Sequence, residues 1–137
     1  MIIGLYRIII SVVLWPIWFI YLIIILPIFL FYIILVNKKY YHYFLRPMSY
    51  FFCLLGGQIV KQSGDIPNPK NGPFLYIINH ESLFDHFAIG YYIKHYVTAI
   101  AKYEQFKYPI WGDVAKYYGI VPIDRLNTGK AISSLKK

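Results

Sequence analysis

The chain has 137 residues, 58% of them apolar or aromatic and 20% Phe, Trp or Tyr, with a formal charge of +8. That length holds one small domain, and a single cysteine, Cys53, excludes an internal disulfide or a cysteine metal cluster. The cations are scattered and follow a long apolar run, a pattern that argues against nucleic acid as the partner.

The run from Ile8 to Asn37 contains no charged residue. As a helix its thirty residues would measure about 45 Å, more than the roughly 30 Å hydrocarbon core of a bilayer. Without a polar face it suits neither a soluble core helix nor, at this length and without a small-residue cleavage site, a secretory signal. Residues 1–36 therefore read as a membrane anchor. Pro16 and Pro27 leave two forms open, a single tilted spanning helix or a helical hairpin dipping into one leaflet with its turn near Pro27. Only Arg7 precedes the run, leaving 13 basic and six acidic residues after it. For a spanning segment, that asymmetry places the body of the chain on the cytoplasmic side.

Residues 37–57 read as an interfacial helical region. Lys38, Lys39 and Arg46 stand among Tyr40, Tyr41, Tyr43 and Phe44, a mixture that suits the headgroup layer of a lipid bilayer. The helix is expected over residues 40–55, interrupted at Pro47 and stopped at Gly56-Gly57. Cys53 is expected to pack rather than react.

Residues 58–137 alternate strand and helix signals. Gln58–Ser63 is a strand candidate, and Gly64–Pro73, rich in Gly, Pro, Asn and Asp, is a loop. Residues 74–79 read as a buried strand, residues 82–95 as a helix capped by Ser82, and residues 96–101 as another strand. A helix with Pro109 near its start ends before Gly119, and Ile120–Ile123 is a short strand. The fold class is α/β: a hydrophobic membrane helix or hairpin, then a partial mixed or parallel-sheet domain.

The residues with chemical potential lie where strand 74–79 meets the next helix. His80 would sit on the tight turn and Asp85 in the first helical turn, so that the carboxylate can fold back and hold the imidazole in one tautomer. With four histidines and four aspartates, about one chain in eight of this composition has such a pair by chance, so a structural histidine capping the helix competes with a general base. A metal site fits less well, since His80 and His86 are six residues apart and would occupy different faces of a helix. Ser82 lacks a nucleophile elbow. Any attacking hydroxyl would have to come from a substrate. Gly119-Ile120-Val121-Pro122-Ile123-Asp124-Arg125 is the second candidate, delivering at the end of a strand an arginine suited to a phosphate, or one merely paired with Asp124 at the surface.

Asn79-His80-Glu81-Ser82-x-x-Asp85 resembles the first block of the glycerolipid acyltransferases, N-H-x4-D, the family that includes the 1-acylglycerol-3-phosphate acyltransferases. Gly119-x-x-x-Ile123-Asp124-Arg125 resembles the second block, G-x-x-F-I-D-R, with Pro122 in place of the phenylalanine. Ala101-Lys102-Tyr103-Glu104-x-Phe106-x-x-Pro109 is similar to the stretch between them. The third block, Glu-Gly-Thr-Arg, and the proline-containing fourth are expected beyond residue 137, so the chain reads as the N-terminal part of an acyltransferase domain. The resemblance implies transfer of an acyl group from a coenzyme A or carrier-protein thioester to a lysophospholipid hydroxyl, yielding phosphatidic acid. It implies His80 and Asp85 as catalytic residues, Arg125, Gly119 and Lys102 as substrate-binding residues, and no metal or other cofactor. The competing readings are another lipid acceptor or a non-enzymatic, membrane-anchored remnant.

Overall fold

The computed structural model describes residues 2–65 and 67–124. Helix α1 runs unbroken over Ile2–Leu35, and α2 follows over Tyr41–Leu55. The turn between them is a short 3-10 helix, Lys38–Tyr40, opened by Asn37, whose side chain accepts a hydrogen bond from the Lys39 N–H. Two antiparallel helices result, tied by side-chain bonds to main-chain carbonyls. Trp18 Nε1 donates to Phe52 O at 3.1 Å and Tyr41 OH to Ile33 O at 2.6 Å. The turn thus lies at 36–40, and no hairpin forms at Pro27.

From Trp18 onward α1 has two unlike sides. Trp18, Phe29 and Ile33 are buried, with Leu22, Ile25, Leu26 and Leu30 partly covered. Phe19, Ile20, Ile23, Ile24, Ile28, Phe31 and Ile34 are exposed. The spacing is helical, but both sides are apolar, so periodicity of polarity could not reveal which face packs. The covered face meets Tyr41, Met48 and Phe52 of α2 and Val114 and Tyr118 of α4, the helix Trp111–Tyr118. Phe52 is wholly buried, an apolar contribution of about 1.5–3 kcal/mol.

Pro16, Pro27 and Pro47 all lie on exposed positions of their helices. The carbonyl each proline frees, four residues earlier at Val12, Ile23 and Tyr43, belongs to the same uncovered side. This is why α2 continues through Pro47 instead of breaking there.

Helix α3, Asp85–Tyr92, packs across α2, with Gly90 facing the fully buried Ser49. Strands β1, Ile100–Lys102, and β2, Val121–Ile123, form a two-stranded parallel sheet in the register Ile100–Val121, Ala101–Pro122 and Lys102–Ile123. A 3-10 helix, Tyr103–Lys107, and α4 connect them. The expected strands at 58–63 and 74–79 carry no regular structure, and Leu75 and Ile77 are 83% and 85% exposed. Strand propensity needs a neighbouring edge to act on, and the described sheet has only two members. Expected helix 82–95 is shorter, because a turn occupies residues 82–84.

Candidate functional site

The turn before α3 is built around one carboxylate oxygen. Asp85 Oδ2 accepts hydrogen bonds from the Glu81 and Ser82 N–H groups, both at 2.8 Å, and from His80 Nδ1 at 2.9 Å. Ser82 does not cap the helix as expected. Its Oγ accepts from the Phe84 N–H at 3.2 Å and its carbonyl from the Asp85 N–H at 3.2 Å, which closes the turn one residue before α3 begins. The Ser82 N–H bond, with the His80 contact second, holds the Asp85 carboxyl below the usual carboxylate range. An ionised acceptor on Nδ1 assigns the proton to that nitrogen and leaves a lone pair on Nε2. The His80 side chain is 57% exposed and that of Asp85 27%. The imidazole is therefore open to a reactant while its partner is mostly covered.

The turn is held in place by the aromatic residues that alternate with the polar ones. Phe84 lies against Trp15 and Trp18, with ring centroids 6.4 and 6.2 Å away, and its ring covers Gly56, where an added Cβ would come within 2.2 Å of it. Phe87 stacks on Phe52 at 4.3 Å with planes 24° apart. At the far end of α3, Arg46 Nε donates to Tyr91 O at 2.9 Å. Sequence reasoning named none of Gly56, Phe84, Phe87 or Arg46 as supports of the site. The three-residue spacing of Phe84 and Phe87 around Asp85 was the available signal.

The other expected site residues belong to the β1–β2 unit. Lys102 ends β1, is exposed, and lies in register with Ile123, two residues before Arg125. Arg125 itself lies outside the described residues. Gly119 terminates α4 with φ 94°, a left-handed conformation that favours glycine. Its carbonyl accepts from Thr98 Oγ1, and the Tyr96 hydroxyl donates to Tyr118 O at 2.7 Å. In the described geometry Gly119 sets the path into β2. Among the described residues no three or more His, Cys, Asp or Glu side chains are placed to hold a metal ion.

A family model described as Acyltransferase matches residues 59–137. A curated relative, the 1-acyl-sn-glycerol-3-phosphate acyltransferase of Cocos nucifera, is 34% identical over 84 residues. That match covers 61% of this chain and 26% of the coconut protein, so the chain spans about a quarter of its relative. No solved structure matches.

Proposed function

The chain belongs to the Acyltransferase family, and from that premise we propose that it passes a fatty acyl group from a coenzyme A or carrier-protein thioester to a lysophospholipid. The acceptor in this reading is 1-acylglycerol-3-phosphate and the product phosphatidic acid. The observation that carries the proposal is the 2.9 Å contact between His80 Nδ1 and Asp85 Oδ2, with the carboxylate pinned by two main-chain N–H groups. The acceptor hydroxyl gives its proton to His80 Nε2 as its oxygen attacks the thioester carbonyl. Asp85 keeps the imidazole in the required tautomer and stabilises the imidazolium that forms. When the tetrahedral intermediate collapses, the C–S bond breaks and the sulfur leaves as thiol with the proton from Nε2. No protein nucleophile enters. Arg125 neutralises the acceptor phosphate, with Lys102 adding charge beside it and Gly119 shaping the approach.

The substrates of this reaction are lipids, which gives the N-terminal helix its role. Among the described residues one helix, Ser11–Leu35 within α1, is long and apolar enough to cross a membrane. We place it within one leaflet instead. Residues 18–33 of α1 are covered by α2 and α4, so crossing over that stretch would take Arg46 of α2 and the Asp113–Lys116 pair of α4 toward hydrocarbon, where charged side chains are costly even when paired. Lying flat, α1 offers lipid its exposed apolar side and keeps the imidazole at the interface. The 13 basic and six acidic residues after the apolar run favour the anionic cytoplasmic leaflet.

The test is acceptor profiling with membranes from cells expressing the protein from its complete locus. Labelled acyl-CoA should acylate 1-acylglycerol-3-phosphate in preference to lysophospholipids with a larger headgroup. Equal or better use of an acceptor without the terminal phosphate would overturn the acceptor assignment, and no transfer to any lipid would favour a membrane-anchored, non-enzymatic protein.

A further inference from the structure

A second imidazole stands beside the base and has no part in the chemistry above. His86 is the second residue of α3, and its ring centroid lies 5.0 Å from that of His80 with the planes inclined at 56°. Its neighbours on the helix are committed elsewhere: Asp85 to the turn and Phe87 to Phe52. His80, more than half exposed, is fixed through Nδ1 to Asp85. One hydrogen bond sets a nitrogen's position but leaves the ring plane free to rock about it. A tilted aromatic partner at this separation supplies the missing restraint.

We propose that His86 is a positioning residue for His80, its ring packed against the base so that Nε2 keeps its direction toward the incoming hydroxyl. The inference rests on the acyl-transfer reading. Charge is consistent with it. His86 is itself exposed; partial desolvation is the main cause lowering its pKa from the ordinary value, the charge of a protonated His80 adds to this, and Asp85 opposes it. A neutral neighbour allows His80 to take up the acceptor's proton, whereas a cation at that distance would oppose it.

Two readouts test the role. In kinetics, His86→Ala should lower kcat about five- to tenfold, the size of one aromatic pair, with the acceptor KM within about twofold. His86→Phe, which restores a ring but no titratable group, should bring kcat back to within about twofold of wild type. In NMR of the histidine-labelled full chain in lipid bicelles, the low-field Nδ1–H proton of His80 should persist in wild type and His86→Phe and broaden in His86→Ala. This signal decides the matter independently of turnover. An unchanged kcat or unchanged proton signal in His86→Ala would overturn the inference, as would rescue by His86→Gln but not by His86→Phe. An inactive His80→Ala beside a fully active His86→Ala removes this inference alone, whereas an active His80→Ala removes the acyl-transfer reading beneath it.

Discussion

Asp85 is where the local chemistry is concentrated, because one of its oxygens organises three donors at once. Asp85→Asn keeps a similar shape and an acceptor oxygen, but removes the charge that fixes the His80 tautomer and stabilises its imidazolium. Acyl transfer should fall on the order of 10³–10⁴-fold, with membrane association unchanged. The pH behaviour follows from the same bonds. The folded state holds the carboxyl below its ordinary range, so protons bind more readily to the unfolded turn. The stabilisation is complete above the unfolded value, near 3.9, and disappears as pH falls through the lower folded value. Amide exchange at Glu81 and Ser82 should therefore stay protected on acidification to about pH 4 and lose protection only below it. Loss of protection in the imidazole range would show that His80 protonation, and not Asp85, governs the turn. The pairing was legible in the sequence, because five-residue spacing across a strand-to-helix turn lets a carboxylate reach back. Ser82 closes the turn before α3 instead of capping the helix, and the two roles look the same in one dimension.

At the scale of elements, the site is a short helix standing on a longer one. Helix α3 has eight residues and would be marginal alone, so its position depends on α2 beneath it. The closest approach is at Gly90, where a Cβ would meet Ser49 Oγ at 2.6 Å and Leu45 Cγ at 3.4 Å. Ser49 is fully buried on a packed helix and cannot simply swing into solvent. Gly90→Ala gains helix propensity but forces the helices apart, a net destabilisation of about 1–3 kcal/mol. Thermal unfolding in detergent should show a lower midpoint, and unchanged or raised stability would mean that α3 is not fixed by this contact. Helices α2 and α4 were legible to within a residue or two, since their Gly stops and amphipathic spacing are local signals. The strand at 74–79 was not. Its Phe-Leu-Tyr-Ile-Ile composition is a preference for a pleated, half-buried surface, and whether a partner edge exists is decided elsewhere in the chain. Strand β2 succeeded where that segment failed because β1 lies alongside it in parallel register.

For the whole molecule, α1 does two jobs through its two sides. Its covered stripe is the floor on which α2 and α4 rest, and Trp18 reaches Phe52, Phe84 and Phe87 directly beneath the imidazole site. Its other side is available to lipid. In the proposed placement this architecture would tie the depth of the membrane to the height of the site, a link that a detached spanning anchor would not provide. Single-cysteine variants in a Cys53→Ser background test the arrangement. Ser11→Cys and Asn37→Cys should both react with an impermeant maleimide from the side that carries the body of the chain. Ile20→Cys and Ile24→Cys should be protected by lipid. Labelling of Ser11→Cys and Asn37→Cys from opposite sides would establish a spanning helix. The apolar run is plain in the sequence, but only packing reveals that one of its sides is occupied by protein.

In the proposed reaction His80 is the base of an acyl transfer from thioester to lipid hydroxyl. The most direct test of that role compares wild type and His80→Ala, expressed from the complete locus at equal membrane content, for transfer of labelled acyl groups to 1-acylglycerol-3-phosphate. Phosphatidic acid formation should fall by about 10²–10⁴-fold, the usual contribution of a positioned general base, while the membrane-bound fraction is unchanged. A His80→Ala protein that turns over at a rate near that of wild type would contradict that role.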